Sequence, residues 1–594
     1  MRRTGSWAIF GVGVLAACSS LDSQSLNGSS DSGFQPGAAG STPAAGSTGA
    51  GNPLVVAEQE EDMSFRAPVV SGRWVWTANP DTGKVAVVDA KSFSVRLADA
   101  GSGPTFLTAL PSDANSSRAL VINVGSHDAT LLSANAAGPV MAVGPISLQR
   151  DANAWTVGKT GQFAIAWLDS HALTLDPAEG YQDFTVLDLR GKVPVPTRLS
   201  AGFLPSRVFI DSAEQHAFVV AKSGITVIDL AAAAGPRVVR ELPVSHDLQE
   251  DYKTRDVSVM PDGSFAFVRH EGSPVLTLVD LATGDLSPIT LSGPVTDLDL
   301  VANAKSALAV VRGYAPPSQP FNEEAGASNG EGRASNGEAG ASNGEAGASN
   351  GEGGAGSSPD QPANTGAGSG GAAANQISTL AILPIPGIFS APAQFDAVSI
   401  DELFGLVNIA PQGTSALLYT NALPNSHLTV LETAHGKGYL TYRTVDVRGY
   451  VHEVFPSPDG AYAIASLSPL TAGGKPGFAA IPVDKALPVR VQTTDAPVFA
   501  VAQSAGPGAR AVVTVSDGKS NFSAYIVRMP ELVIDPVKLP SRPLPNATGL
   551  VPDAGVAYIA QAHPQGRITF INLETGVPRT ITGFEISAKV VDGR

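Results

Sequence analysis

Arg448, His452 and Glu453 stand within one six-residue segment, Arg448-Gly449-Tyr450-Val451-His452-Glu453, just ahead of Phe455 and a Ser457-Pro458-Asp459-Gly460 turn. His452 would be a base and Arg448 an electrophilic clamp, with Glu453 beside them, which is the equipment of an acid–base site. Arg207, Arg255, Asp256, Asp297 and Asp495 occupy the corresponding place in other repeat units, so charge would converge there as a binding region. Strands that line a water-filled channel also carry charge simply to be hydrated, and this second reading stands beside the first. Five of the nine histidines, His127, His171, His270, His427 and His563, fall in one kind of hairpin loop, and His246 opens an acidic connection. Such a face could be partner-binding, with metal or pH-sensitive character. Loops are polar anyway, and these need not share a coordination sphere, so no metal is expected. No phosphate loop, nucleophile elbow, haem motif or paired-cysteine site occurs, and no cofactor is expected.

The elements that would position these residues repeat every 40 to 50 residues or so. The first copy reads strand (Ala67–Val70), turn, strand (Trp74–Ala78), turn at Asn79-Pro80-Asp81-Thr82-Gly83, strand ending in Val88-Asp89, and a fourth strand at Ser94–Ala98. The strands are β-branched or aromatic, and the turns hold Gly, Asn, Asp or Pro. A strand that ends in an acid or Asn recurs at Asp188, Asp229, Asp280, Glu432 and Asn572, and Pro-Asp-Gly-like turns recur at 260–263, 457–460 and 551–555. The acids are expected to cap turns, since the Asp/Asn alternation and closing Glu of a calcium loop are missing. Trp74, Trp76, Trp155 and Trp167 are expected to pack within or between these units.

About ten such units, each unable to bury both faces alone, predict an all-β chain: a β-propeller of roughly 7–10 four-stranded blades. Trp76-Thr77-Ala78-Asn79 with Val85-Ala86-Val87-Val88-Asp89-Ala90, together with the Ser-Pro-Asp-Gly turns, resembles the YVTN family of propeller repeats. The resemblance spans about 64–590 and implies the fold, with the first strand of each blade innermost. A His shortly before a Ser-Pro-Asp-Gly turn is also similar to the lactonase branch of propellers, which opens sugar lactones. That likeness implies a hydrolase working through His452, Glu453 and Arg448 at the channel mouth.

Cys18 is the one cysteine in 594 residues. Arg2 and Arg3 precede an apolar run, Trp7 to Ala17, and Leu15-Ala16-Ala17-Cys18 resembles the lipobox of bacterial lipoproteins. The resemblance implies a signal peptide over 1–18, a lipid on Cys18, and a membrane anchor. Ser19 and Ser20 follow, without the Asp associated with inner-membrane retention, so the expected place is the outer membrane of a bacterial cell envelope. Residues 19–56, rich in Ser, Gly, Ala and Pro, read as a disordered tether ahead of a propeller over 57–594.

Net charge is −16, which argues against nucleic acid and anionic headgroups as partners. Residues 315–375 are a second low-complexity tract, in which EAGASNG recurs with decay from Glu324, Glu331, Glu338, Glu345 and Glu352. Its glycines and lack of large apolar residues rule out a coiled-coil seam, so it reads as a disordered acidic insertion. Strand-like flanks at Ser306–Arg312 and Ile377–Leu383 place it inside one blade. Two propellers of about five blades each are the competing arrangement. The expected function is a binding scaffold for protein or glycan partners, with lactonase-like hydrolysis as the alternative.

Overall fold

The computed structural model describes residues 68–592, apart from 113–115, 137, 170–180, 248–249, 302–304, 313–377, 412–413, 434–440, 484–486, 520, 540–543, 562, 564–565 and 585–588. Cys18, the expected signal and tether, His171 and the 315–375 insertion lie outside the described residues.

The chain folds as ten antiparallel sheets in series, each with its strands in sequence order, the tenth carrying a fifth strand, Lys589–Asp592. We number the sheets as blades 1 to 10. Blade 1 shows the plan: Val69–Ser71, Trp74–Asn79, Lys84–Asp89 and Val95–Asp99. Second and third strands are near-continuous apolar runs because a neighbouring blade covers each of their faces. Phe163–Trp167 and Val556–Gln561, both second strands, are buried throughout. Fourth strands face solvent, and Arg237–Leu242 of blade 4 is exposed in all but its last residue. The four tryptophans expected in the interior are all buried.

The core is divided into ten hydrophobic clusters, one between each pair of neighbouring blades. Phe267 and Leu276 of blade 5 meet Ala307 and Ala309 of blade 6. Val75 and Val88 of blade 1 meet Tyr558, Ile568 and Phe570 of blade 10. Two five-bladed rings would instead require blade 5 against blade 1 and blade 10 against blade 6. The molecule is one closed ten-bladed propeller. Burial of one Val or Leu is worth about 1.5–3 kcal/mol, and a detached blade would forfeit this on both faces.

Blade 6 settles where the two halves of the sequence join. Its second strand, Ser306–Val311, pairs in register with its third, Ser378–Pro384, so that Leu308 faces Ile382 and Val311 faces Thr379. The acids that end third strands cap the following turns as expected. Asp89 Oδ1 accepts from the Lys91 N–H at 2.9 Å, Asp280 Oδ1 from Ala282 at 2.7 Å, and Asn572 Oδ1 from Thr575 at 2.8 Å.

Candidate functional site

The first strands gather around the central channel, and most of their polar side chains are spent on holding blades together. Every interface carries at least one side-chain hydrogen bond reaching across it. Ser71 donates to the Leu110 carbonyl (blades 1–2), Trp155 to Phe106 (2–3), and Thr156 to Val208 (3–4). Arg207 donates to Asp256 at 2.8 Å (4–5), and Arg269 to the Thr296 carbonyl (5–6). Asp297 Oδ2 accepts from the Val407 N–H at 2.7 Å (6–7), while Asn408 donates to Val454 (7–8) and Gln503 to Phe455 (8–9). Thr548 donates to Thr514 (9–10), and the Tyr558 hydroxyl reaches the Pro68 carbonyl at 3.1 Å (10–1).

The last of these bonds lies at the seam where the ring closes. Among the described residues no sheet is shared there between the first and last blades, and blade 10 meets blade 1 through packing and this bond. Gly549 makes this possible, because a Cβ at that position would lie 2.5–2.7 Å from the Tyr558 ring. Burial holds the Tyr558 phenol well above its ordinary pKa, so it stays a donor. A shallow cavity of about 370 Å³ borders the seam, lined by Val69, Val501, Gln503, Thr548, Leu550 and Tyr558 among others.

The residues expected at the mouth go to separate places. Arg207 and Asp256 do meet, and Arg269 joins them, with Nη2 at 3.3 Å from Asp256 Oδ2. Burial would raise the Asp256 carboxyl, but the Arg207 and Arg269 guanidiniums outweigh it and hold it below the usual carboxylate range. Arg255 points elsewhere: buried, it pairs with Glu250 and donates to the Ala221 carbonyl of blade 4. His270 Nε2 lies 3.2 Å from the other oxygen of Glu250. Asp297 is 4% exposed, and its second oxygen accepts from the Leu298 N–H at 2.8 Å. Asp495 is on the surface, ion-paired with Lys475 at 2.6 Å.

Arg448 lies in the connection that precedes the first strand of blade 8, Tyr450–Pro456. It is exposed, with φ +58°, and its backbone N–H is bound to Asp446 Oδ1 at 2.8 Å. His452 is exposed on that strand and Glu453 half-buried beside it. None of the three lines the seam cavity. Of the histidines expected in hairpin loops, His127 and His563 lie in them. His270 ends a second strand and His427 begins a third, where its Nδ1 lies 3.2 Å from Glu402 Oε2. Among the described residues, no group of three His, Cys, Asp or Glu is placed to hold a metal ion.

His452 has a feature that sequence reading missed. Pairing with the second strand steps from Val451↔Leu467 to Glu453↔Ser466, which leaves His452 as the extra residue of a β-bulge. The same bulge, at the second or third residue of the first strand, leaves Phe499 unpaired in blade 9 and Asn546 in blade 10. Across the first strands of all ten blades, the exposed residues are His452, Phe499 and Asn546 and no others. The available signal was spacing: positions 452, 499 and 546 are equally separated in the sequence.

No protein-family model matches the chain, and no curated protein matches it. Among solved structures it is similar to one described as the crystal structure of the eukaryotic initiation factor, at 12% identity and TM-score 0.45, over 78% of this chain and 94% of that one. It is similar at 13% identity and TM-score 0.37 to dihydro-heme d1 dehydrogenase NirN in complex with DHE, over 71% and 77%. The β-propeller domain of Myceliophteria thermophila Cps50 (Swd1) is similar at 11% identity and TM-score 0.29, over 61% and 95%. None of these likenesses bears on activity.

Proposed function

We propose that this protein is a binding scaffold of the bacterial cell envelope, a rigid ring held at a membrane by lipid on Cys18. The observation that carries the scaffold reading is the unbroken set of inter-blade bonds. Arg207, Asp256 and Asp297, which could have formed a site, bind neighbouring blades instead, and this stiffens the ring on which loops and bulges are presented. Residues 19–56 would be the tether, the YVTN-like repeats the platform, and protein or glycan the partner class. The apolar run before Cys18 and the serines after it support an outer-membrane location.

Two measurements test this reading. Metabolic labelling with a fatty acid should tag the full chain and not the Cys18→Ala variant, and equal labelling would remove the anchor. Saturable retention of an envelope protein or glycan by the full chain, undiminished by Arg448→Ala, is expected for a scaffold. Turnover of a lactone that disappears in His452→Ala would overturn it.

A further inference from the structure

The three exposed bulge residues share a property that their strands do not require. Bulges also occur in the first strands of blades 2 and 6, where the extra residues are Thr105 and Thr296. There the hydroxyls turn back to protein, Thr105 to the Gly103 carbonyl at 2.8 Å and Thr296 to Gly405 at 2.6 Å. In blades 8, 9 and 10 the same backbone device leaves the extra residue exposed. A bulge re-aims a residue that regular pleating would send into a blade interface. Three in consecutive blades make a row along one arc of the channel mouth.

The chemistry of that row is specific. Phe499, 38% exposed, presents an apolar aromatic surface on a strand whose other apolar residues are covered. On either side, one blade away, stand an imidazole and a carboxamide, groups that can both donate and accept hydrogen bonds. None of the three carries a fixed charge, and the chain's net charge of −16 repels polyanions. A pyranose fits this set: its C–H face lies on an aromatic ring, and its hydroxyls need partners of both kinds. One residue per blade suits several sugar units in a row rather than one.

We propose that the channel mouth at blades 8–10 binds a neutral oligosaccharide, with Phe499 as the stacking platform and His452 and Asn546 as flanking hydrogen-bond partners. This rests on the scaffold reading and names its ligand class.

The test is calorimetric titration of the full chain with cellohexaose, chitohexaose, xylohexaose and maltohexaose. At least one should bind saturably, and Phe499→Ala should weaken it by about tenfold, the value of one aromatic contact. Phe499→Tyr should bind as the parent does, which separates lost stacking from lost folding. Asn546→Ala and His452→Ala should each weaken binding roughly three- to tenfold. Tyr442→Ala, exposed on a fourth strand, should change nothing. Failure of all four hexaoses to bind at about 10 mM, or binding indifferent to Phe499→Ala, overturns the proposal. If a protein partner is retained while every hexaose fails, the scaffold stands and the saccharide site falls.

Discussion

Asp297→Ala isolates one buried inter-blade bond. The Asp297 carboxylate is 4% exposed and accepts from two backbone N–H groups, Val407 of blade 7 at 2.7 Å and Leu298 of its own strand at 2.8 Å. Alanine leaves both donors without this acceptor, and each orphaned buried group costs about 1–3 kcal/mol. Removing a buried charge returns part of that, so a net local loss of roughly 2–4 kcal/mol is expected. A ring of ten blades need not unfold in one step, so a global midpoint would blur the effect. Amide hydrogen exchange at Val407 reads it directly. A loss of 2–4 kcal/mol corresponds to protection falling by about 30- to 1,000-fold, while amides in blades 2 and 3 should keep theirs. Asp297→Asn, which keeps an acceptor oxygen, should lie between. Asp299→Ala should do less, because Asp299 is half-buried and its bond to Ile409 is 3.2 Å. Unchanged protection at Val407 in Asp297→Ala would refute the view that first-strand carboxylates hold blades together.

The closing seam gives a second expectation. Tyr558→Phe removes the hydroxyl bond to Pro68 and should cost about 1 kcal/mol, whereas Gly549→Ala drives a methyl into the ring and should lower the thermal midpoint further. Asp256 makes stability depend on acid. Its folded pKa is depressed, so its contribution is complete above the unfolded value of about 3.9 and is lost as pH falls below that, through the folded value. The gap in urea midpoint between the parent and Asp256→Asn should therefore be widest near pH 6 and shrink by pH 3, and a pH-independent gap would contradict this. Glu214, 2% exposed in a turn of blade 4, accepts N–H bonds from Thr160, Gln162 and Phe163 of blade 3. Glu214→Ala should expose those three amides to exchange and leave blade 9 unaffected.

Blade architecture was legible because it is local chemistry repeated. Turn residues, β-branched runs and strand-ending acids recur at similar spacing, and Asp89, Asp280 and Asn572 cap their turns as residue type implies. The pairing of Ser306–Val311 with Ser378–Pro384 was legible from strand-like flanks on both sides of the low-complexity tract. The candidate site was not. Arg207, Arg255, Asp256, Asp297 and Asp495 look equivalent in repeat alignment, yet one reaches a neighbouring aspartate, one a glutamate below the surface, and one two backbone amides. Repeat position gives a residue's height on a blade. It does not give the side of the strand on which its partner waits.

By itself, then, the sequence determined the four-stranded unit, its repetition and its capped turns, since each depends on residues close along the chain. Only the tertiary structure decided that ten units close one ring, through contacts as remote as Tyr558 with Pro68. It alone decided which inner residues face water. A bulge shifts strand register by one residue, and such a shift, invisible to composition, turned His452, Phe499 and Asn546 outward while their neighbours stayed covered.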